Sequence, residues 1–505
     1  MYRQLRTKAA SDVSDAILVI GVYDKTTRLP SGYKATDEQL GGAIAAAIAR
    51  PEFSAAKGAV TAVYPTTGSD KLYILGLGKN ESELGEALRI AGSRLVKMAF
   101  NAKVESLVVD LTPGMGDKAD AQLAGRALGD GIAIGNFTFD SYKGLKPADN
   151  KNASLTLTLL VEPALSAHVD RALKLGESVN LARTLAATPP NVANPAYLVS
   201  TCKQIARKTG LKCTIIDHKQ AAKLGMGGLL AVGAAGSTPP AVIALEHKPR
   251  NAKGAPVLLV GKAVTFDTGG YSLKPAESMD KMKYDKCGGM AVIGTMHALA
   301  SLKVNQHVIG LIPTAENLVS DKGYRPGDIV RFTNGVTSEI TNTDAEGRLI
   351  LADALAYGTR TYKPQAVIDL ATLTGGVVVA LGGHMAGLFA NNNPLRDQLI
   401  NAGQFAGERL WHLPLWDEHR QQMKGNHADL INSANREGSP IQGAAFLSYF
   451  IEPDGRQGLP TTPWAHLDIA GVADAKSEKG PFPVGPTGFG VRLLVRALEN
   501  WTAVK

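Results

Sequence analysis

Acidic and basic side chains gather in two short stretches of this 505-residue chain. In the first, the apolar run Val257-Leu258-Leu259-Val260 leads straight into Gly261-Lys262 and on to Thr265-Phe266-Asp267-Thr268-Gly269-Gly270. It continues through Lys274 to Met282-Lys283-Tyr284-Asp285-Lys286-Cys287. The second is Asn342-Thr343-Asp344-Ala345-Glu346-Gly347-Arg348. Together they offer four carboxylates (Asp267, Asp285, Asp344, Glu346) and three cations (Lys262, Lys274, Arg348). Carboxylates brought together repel and raise one another's pKa values unless cations neutralise them. Two divalent metal ions would do so, and a pair ~3.5–4 Å apart activates water and stabilises both oxygens of a tetrahedral intermediate. Helix caps and surface ion pairs are the commoner fate of Asp and Lys at strand ends, and spacing alone leaves both readings open. If the chain is extended through Asp344 and Glu346, their side chains share one face.

The elements that must position these groups are legible in the apolar periodicity. Short apolar runs at Ala16–Val22, Leu72–Leu77, Ser106–Leu111 and Leu155–Val161 read as strands, with Ala16–Val22 the first. Between them, Ser82–Phe100 carries Leu84, Ala87, Leu88, Ala91 and Leu95 at helical spacing. Pro163–Ala187 reads as one long amphipathic helix, stopped by Thr188-Pro189-Pro190-Asn191 because proline lacks a donor and restricts its predecessor. Beyond it, strands at Cys213–Ile216, Val257–Val260, Val308–Pro313 and Ala366–Leu370 alternate with helices such as Gly288–Leu302 and Gly347–Thr359. The expected fold is α/β: a smaller N-terminal α/β domain (1–162), a bridging helix (163–190) and a larger C-terminal α/β domain (191–505) with a mostly parallel central sheet. Ligands in such sheets sit beyond the carboxyl ends of the strands, where the first charged stretch begins.

Composition narrows the classes. Hydrophobic residues make 45% and charged residues 20% of the chain, which excludes a disordered or coiled-coil protein. Cys202, Cys213 and Cys287 are too few for a disulfide framework and fit a reducing compartment. No apolar stretch is long enough to span a bilayer, and the run after Asp12 and Asp15 is too short for a signal peptide, so a cytoplasmic location is expected. The formal net charge is +8, spread without a basic arm or a cluster interleaved with aromatics. Such a diffuse excess reads as solubility more readily than as a nucleic-acid footprint. His384, His412, His419, His427 and His466 lack metal-ligand spacing and read as structural. Cys287 has no base beside it and reads as core. Gly225-Met226-Gly227-Gly228 follows no strand in a dinucleotide-binding pattern.

The strings themselves resemble the leucyl aminopeptidase family, two-metal cytosolic aminopeptidases of the bacterial type. Asn342-Thr343-Asp344-Ala345-Glu346-Gly347-Arg348-Leu349 matches the family's best-known motif. Gly261-Lys262, Thr265-Phe266-Asp267, Ser272-Leu273-Lys274-Pro275 and Met282-Lys283-Tyr284-Asp285 match its other metal-binding stretch. Tyr324-Arg325-Pro326-Gly327-Asp328, Thr372-Leu373-Thr374-Gly375 and Pro463-Trp464-Ala465-His466-Leu467-Asp468 add to the likeness. It covers nearly all of the second domain and the bridging helix, and is weak in the first domain.

The resemblance implies removal of the N-terminal residue from peptides, with Leu and other apolar residues preferred, by a hydroxide bridging two divalent ions, Zn or Mn. It implies that Asp267 and Glu346 bridge both ions, that Asp344 completes the exchangeable site, and that Lys262, as a neutral amine, and Asp285 complete the tighter one. Lys274 is then a charged group polarising the substrate carbonyl. Arg348 holds a bicarbonate ion that takes a proton, which fits the lack of a histidine beside these motifs as an obvious general base. Met282, Thr372, Leu373, Thr374, Gly375 and Ala470 would line the pocket for the first side chain. One methylene yields only ~1–3 kcal/mol of discrimination, so breadth is expected. The family also implies a homohexamer with sites facing an inner cavity. Two alternatives stand beside this reading: a DNA-binding regulator on the same scaffold, a role some bacterial members combine with peptidase work, and another two-metal hydrolase such as a phosphoesterase, whose usual histidine ligands are missing here. The chain departs from the family pattern at Thr268, at Tyr271 and at Lys286, where an apolar residue is common and the lysine is expected to point away from the site. Asn432-Ser433-Ala434-Asn435-Arg436 lacks the paired glycines often found there and receives no site role.

Overall fold

The strand Val257–Gly261 is apolar at every position and buried at every position. A strand covered on both faces needs such a run, whereas a half-exposed strand alternates. In the computed structural model, which describes residues 1–9, 16–79, 81–116, 119–145, 155–451 and 459–504, this strand lies at the heart of a nine-stranded sheet. The strand order is 410–412, 386–390, 464–468, 366–371, 257–261, 308–317, 241–247, 212–216, with 263–267 pairing beside 308–317. Val257–Gly261 runs parallel to both its neighbours, Ala366–Ala371 and Val308–Asn317. The sheet is mostly parallel, with antiparallel pairings at 241–247 and between 386–390 and 464–468.

Helix Glu346–Tyr362 covers one face of this sheet. Leu349, Leu351, Ala352 and Leu355 from the helix share one core with Leu258, Val260, Leu311 and Val367 from the strands. Burial of that stripe anchors the helix, so its first turn, bearing Glu346 and Arg348, is placed by hydrophobic packing.

Two compact units divide the chain: residues 1–180 with 476–484, and residues 181–475 with 485–505. Helix Pro163–Ala187 begins in the first and ends in the second. The first unit holds a six-stranded sheet in the order 4–9, 156–161, 106–110, 17–22, 72–76, 60–63, parallel except at the 60–63 edge. Ala16–Val22 is therefore not the first strand, because Gln4–Ala9 precedes it and pairs with Thr156–Val161. Gln4, Arg6 and Lys8 are exposed on this edge strand while Leu5 and Thr7 are half-buried, an alternation that carries little apolar signal. No helix among the described residues is long and apolar enough to cross a membrane.

Candidate metal centre

Each charged side chain is held by backbone that has little freedom. Lys262 joins strands Val257–Gly261 and Ala263–Asp267; its N–H donates to the Leu370 carbonyl at 3.0 Å and its carbonyl accepts from Gly289 at 2.6 Å. Asp267 ends the second of these strands opposite Asn317, whose side-chain amide donates to Asp267 Oδ1 at 2.8 Å, as does the N–H of Gly269. Asp285 lies just before helix Cys287–Ser301, and the Thr372 hydroxyl donates to its Oδ1 at 2.8 Å.

Asp344 and Glu346 do not lie on extended chain, contrary to the alternation argument. The Asn342 side chain accepts the N–H of Asp344 at 2.8 Å, turning the backbone, and Glu346 already opens the helix. Asn favours such local side-chain-to-backbone turns. The two carboxylates nevertheless converge, because the turn folds them together where a strand would have aligned them.

The carboxylate oxygens of Asp267, Asp344 and Glu346 approach within 4.8 Å of one another. Lys262 Nζ is 2.8 Å from Asp285 Oδ1 and 2.8 Å from Glu346 Oε1, and donates to the Thr372 carbonyl at 2.8 Å. Lys274 Nζ is 2.8 Å from Asp267 Oδ2 and also contacts Asp344 Oδ1. The Asp344 side chain is 33% exposed, against 2% for Asp267 and Glu346, so the cluster meets solvent on the Asp344 side.

Burial and mutual repulsion shape the ionisation. Burial, with the charge of Glu346, pushes Asp267 up to about 7. Burial also raises Asp285 well above the ordinary carboxylate range and raises Asp344. Glu346 is likewise buried, but the ammonium groups of Lys262 and Lys274 outweigh that cost and hold it low. Burial works to lower Lys262 as well, yet Asp285, Glu346 and Asp267 hold its ammonium above the usual lysine range. A lysine ligand needs a neutral amine. A dication competing for those same oxygens inverts the balance, since a bound metal is the largest charge in its site.

The donor set fits divalent metal. Asp285 Oδ2 is buried without a hydrogen-bond partner among the described residues, an expensive arrangement for a carboxylate unless a ligand meets it. Four carboxylates and one amine, with no thiolate or imidazole, suit an oxygen-preferring ion such as Mn²⁺ and accommodate Zn²⁺.

The other expected site residues lie at differing removes from the cluster. Thr372 touches the cluster directly through its hydroxyl and carbonyl. Leu373, Thr374 and Ala470 are drawn together by the Asp468 carboxylate, while Gly375 opens helix Gly375–Leu381 and is exposed. Met282 lies half-buried in the short turn Asp280–Tyr284, its carbonyl accepting the N–H of Asp285. Arg348 is buried; Nη1 donates to the Asn432 carbonyl at 2.6 Å, Nε has no hydrogen-bond partner among the described residues, and burial lowers the group to about 10. Lys286 is fully buried and donates to the carbonyls of Thr188 and Lys283. Burial drops it to about 8.

Three residues that support the cluster received no site role from the sequence. Asn317 holds Asp267 and also donates to the Thr343 carbonyl at 3.0 Å. Asn432 accepts the N–H groups of Thr341 and Asn342, donates to the Asn342 carbonyl at 2.6 Å, and lends its own carbonyl to Arg348. Tyr324 OH donates to the Thr343 carbonyl at 2.7 Å. Its motif, Tyr324-Arg325-Pro326-Gly327-Asp328, was the one available clue.

Comparison with known proteins identifies the family. The description "Cytosol aminopeptidase family, catalytic domain" matches residues 180–495, and that family's N-terminal domain matches residues 19–146. A "Probable cytosol aminopeptidase" of Geotalea uraniireducens (strain Rf4) is 40% identical, with 96% of each chain covered. One of Azoarcus sp. (strain BH72) is 37% identical, with 99% of each covered. Among solved structures, the bottromycin maturation enzyme BotP in complex with Mn superimposes with a TM-score of 0.83 at 31% identity, covering 97% of this chain and 99% of that one. On the match of both domain descriptions and the near-complete coverage of its relatives, this chain belongs to the cytosol aminopeptidase family.

Proposed function

We propose that this protein is a two-metal aminopeptidase that releases the first residue of peptides, with leucine and other apolar residues preferred. The observation that carries the reading is the convergence of Asp267, Asp344 and Glu346 within 4.8 Å beside a Lys262–Asp285 pair at the carboxyl ends of the central strands. The family's name and the relative solved with Mn support it.

Asp267 and Glu346 would touch both ions, Asp344 would complete one site, and Lys262 with Asp285 the other. Bound there, two divalent ions supply a clamp that activates water and polarises the scissile carbonyl. Asp267, Glu346 and Asp344 together outweigh burial and hold the Lys274 ammonium above the usual lysine range, and Lys274, unlike Lys262, is not assigned to a metal. Its ammonium stabilises the negative charge that develops on the carbonyl oxygen. Arg348 keeps Nε available beside Nη1, which is tied to Asn432, and a guanidinium so placed grips a planar anion such as bicarbonate, the proposed proton acceptor. Met282, Thr372, Leu373, Thr374, Gly375 and Ala470 would line the pocket for the first side chain. A cytoplasmic location and a homohexamer are part of the same reading.

The test is metal dependence. Dialysis against a strong chelator should abolish release of leucine from leucine amide, and added Mn²⁺ or Zn²⁺ should restore it. Full activity in protein shown to be metal-free by elemental analysis would overturn the reading.

A further inference from the structure

Asp468 ends strand Trp464–Asp468 directly opposite Ala371, the last residue of the parallel strand Ala366–Ala371. The connections leaving these strands therefore start side by side. One carries Thr372, Leu373, Thr374 and Gly375; the other carries Ala470. The Asp468 carboxylate is wholly buried and joins them. Its Oδ2 accepts the Thr374 hydroxyl at 2.6 Å, and its Oδ1 accepts the N–H groups of Leu373 at 3.1 Å and Ala470 at 3.2 Å.

The joint is stiff on both sides. Thr374 Oγ1 in turn accepts the N–H of Val377 at 3.2 Å, capping helix Gly375–Leu381. The Leu373 side chain rests on Gly443, where a Cβ would stand 2.8 Å from Leu373 Cδ2. An ionised carboxylate only accepts, so one group can receive three donors from two chain segments, and charge-assisted bonds of this kind are the stronger ones. Burying a carboxylate away from the reacting centre is costly unless such donors meet it. The Asp468 charge also acts on Arg348 and His466, but its three hydrogen bonds all go to the proposed walls of the pocket.

We propose that Asp468 is a positioning residue that sets the width of the pocket for the first side chain and thereby tunes which residues are released. The proposal rests on the aminopeptidase reading and extends it to a residue whose carboxylate bonds to Leu373, Thr374 and Ala470 and which is not assigned as a metal ligand. In the bound complex, a wall free to move by a fraction of an ångström would discriminate poorly between leucine and alanine, since that choice turns on filling a fixed volume.

The experiment compares leucine, methionine and alanine amides, at saturating Mn²⁺, in the parent protein, Asp468→Ala, Asp468→Asn and Thr374→Val. Metal content of each is measured by elemental analysis. The ratio of kcat/KM for leucine amide over alanine amide should fall about tenfold in Asp468→Ala and Thr374→Val, mainly through KM, with metal content unchanged. Asp468→Asn, which keeps an acceptor for Leu373 and Ala470, should fall by less. Thr374→Val removes a single hydroxyl and decides the matter if Asp468→Ala fails to fold. An unchanged ratio in Thr374→Val and Asp468→Asn would overturn the proposal. So would a loss equal for all three amides that follows loss of metal. A parent protein that releases no amino acid from any of the three would instead overturn the aminopeptidase reading itself.

Discussion

Gly347 and Lys262 are in direct contact: a Cβ on Gly347 would stand 2.4 Å from Cε and 2.6 Å from Nζ of the lysine. No real side-chain pair tolerates such distances, so the glycine next to Glu346 is the gap through which Lys262 reaches Asp285 and Glu346. Lys262 is 3% exposed and has nowhere else to go.

Gly347→Ala should therefore act on metal binding before it acts on stability. Displacing the amine of a proposed ligand should cost about 10–100-fold in affinity for one of two ions, the scale seen when groups supporting a metal ligand are altered. Calorimetric titration of the purified variant with Mn²⁺ reads this. Two ions bound with parental affinity would contradict the contact's importance.

Glu346→Ala and Asp344→Ala should both lose activity but differ in metal content. Glu346 is fully enclosed and faces Lys262, whereas Asp344 meets solvent and turns toward Lys274. The Glu346 variant should bind neither ion firmly, and the Asp344 variant should keep one. Elemental analysis after gel filtration separates the two cases, and two metals retained in Glu346→Ala would refute its bridging role.

Lys274→Ala and Arg348→Ala should retain both metals, because neither group is assigned as a ligand. Turnover should drop on the order of 10²–10³ for Lys274→Ala, the usual effect of removing one donor to developing negative charge. Arg348→Ala should be milder and should no longer respond to added bicarbonate, while the parent should. Equal stimulation of both proteins would remove Arg348 from that role, and loss of a metal from Lys274→Ala would exchange the two lysines' assignments.

The two stretches that hold the five proposed ligands were legible because acidic and basic residues gather in them beside an apolar strand and ahead of a helix. The sheet around them was legible for a related reason: Val257–Gly261 and Val308–Pro313 are apolar without interruption, as doubly covered strands must be. What remained hidden depended on partners distant in sequence. Apart from the Asp468–Ala470 bond, Asn317, Asn432 and Asp468 act through hydrogen bonds across 26 to 95 positions, and a single Asn or Asp carries no periodicity that would reveal them. The antiparallel strand Ala241–His247 was hidden too, since apolar content alone gives no strand direction. Local turn chemistry at Asn342 defeated the extended reading of 344–346 for the same kind of reason: one side-chain bond overrode the pattern. Lys286 was expected to point away from the site, and its amine bonds to Thr188 and Lys283.

The central claim, that this cluster cleaves after a free amino-terminal residue, is tested most directly by one comparison. Purified protein loaded with Mn²⁺ is given leucine amide and N-acetyl-leucine amide at equal concentration, and amide-bond hydrolysis is followed for each. Leucine should be released rapidly from the free amide and not at all from the acetylated one, because the amine must be free and neutral to bind at the metals. Comparable turnover of both would contradict the claim and point to a different site or a different reaction.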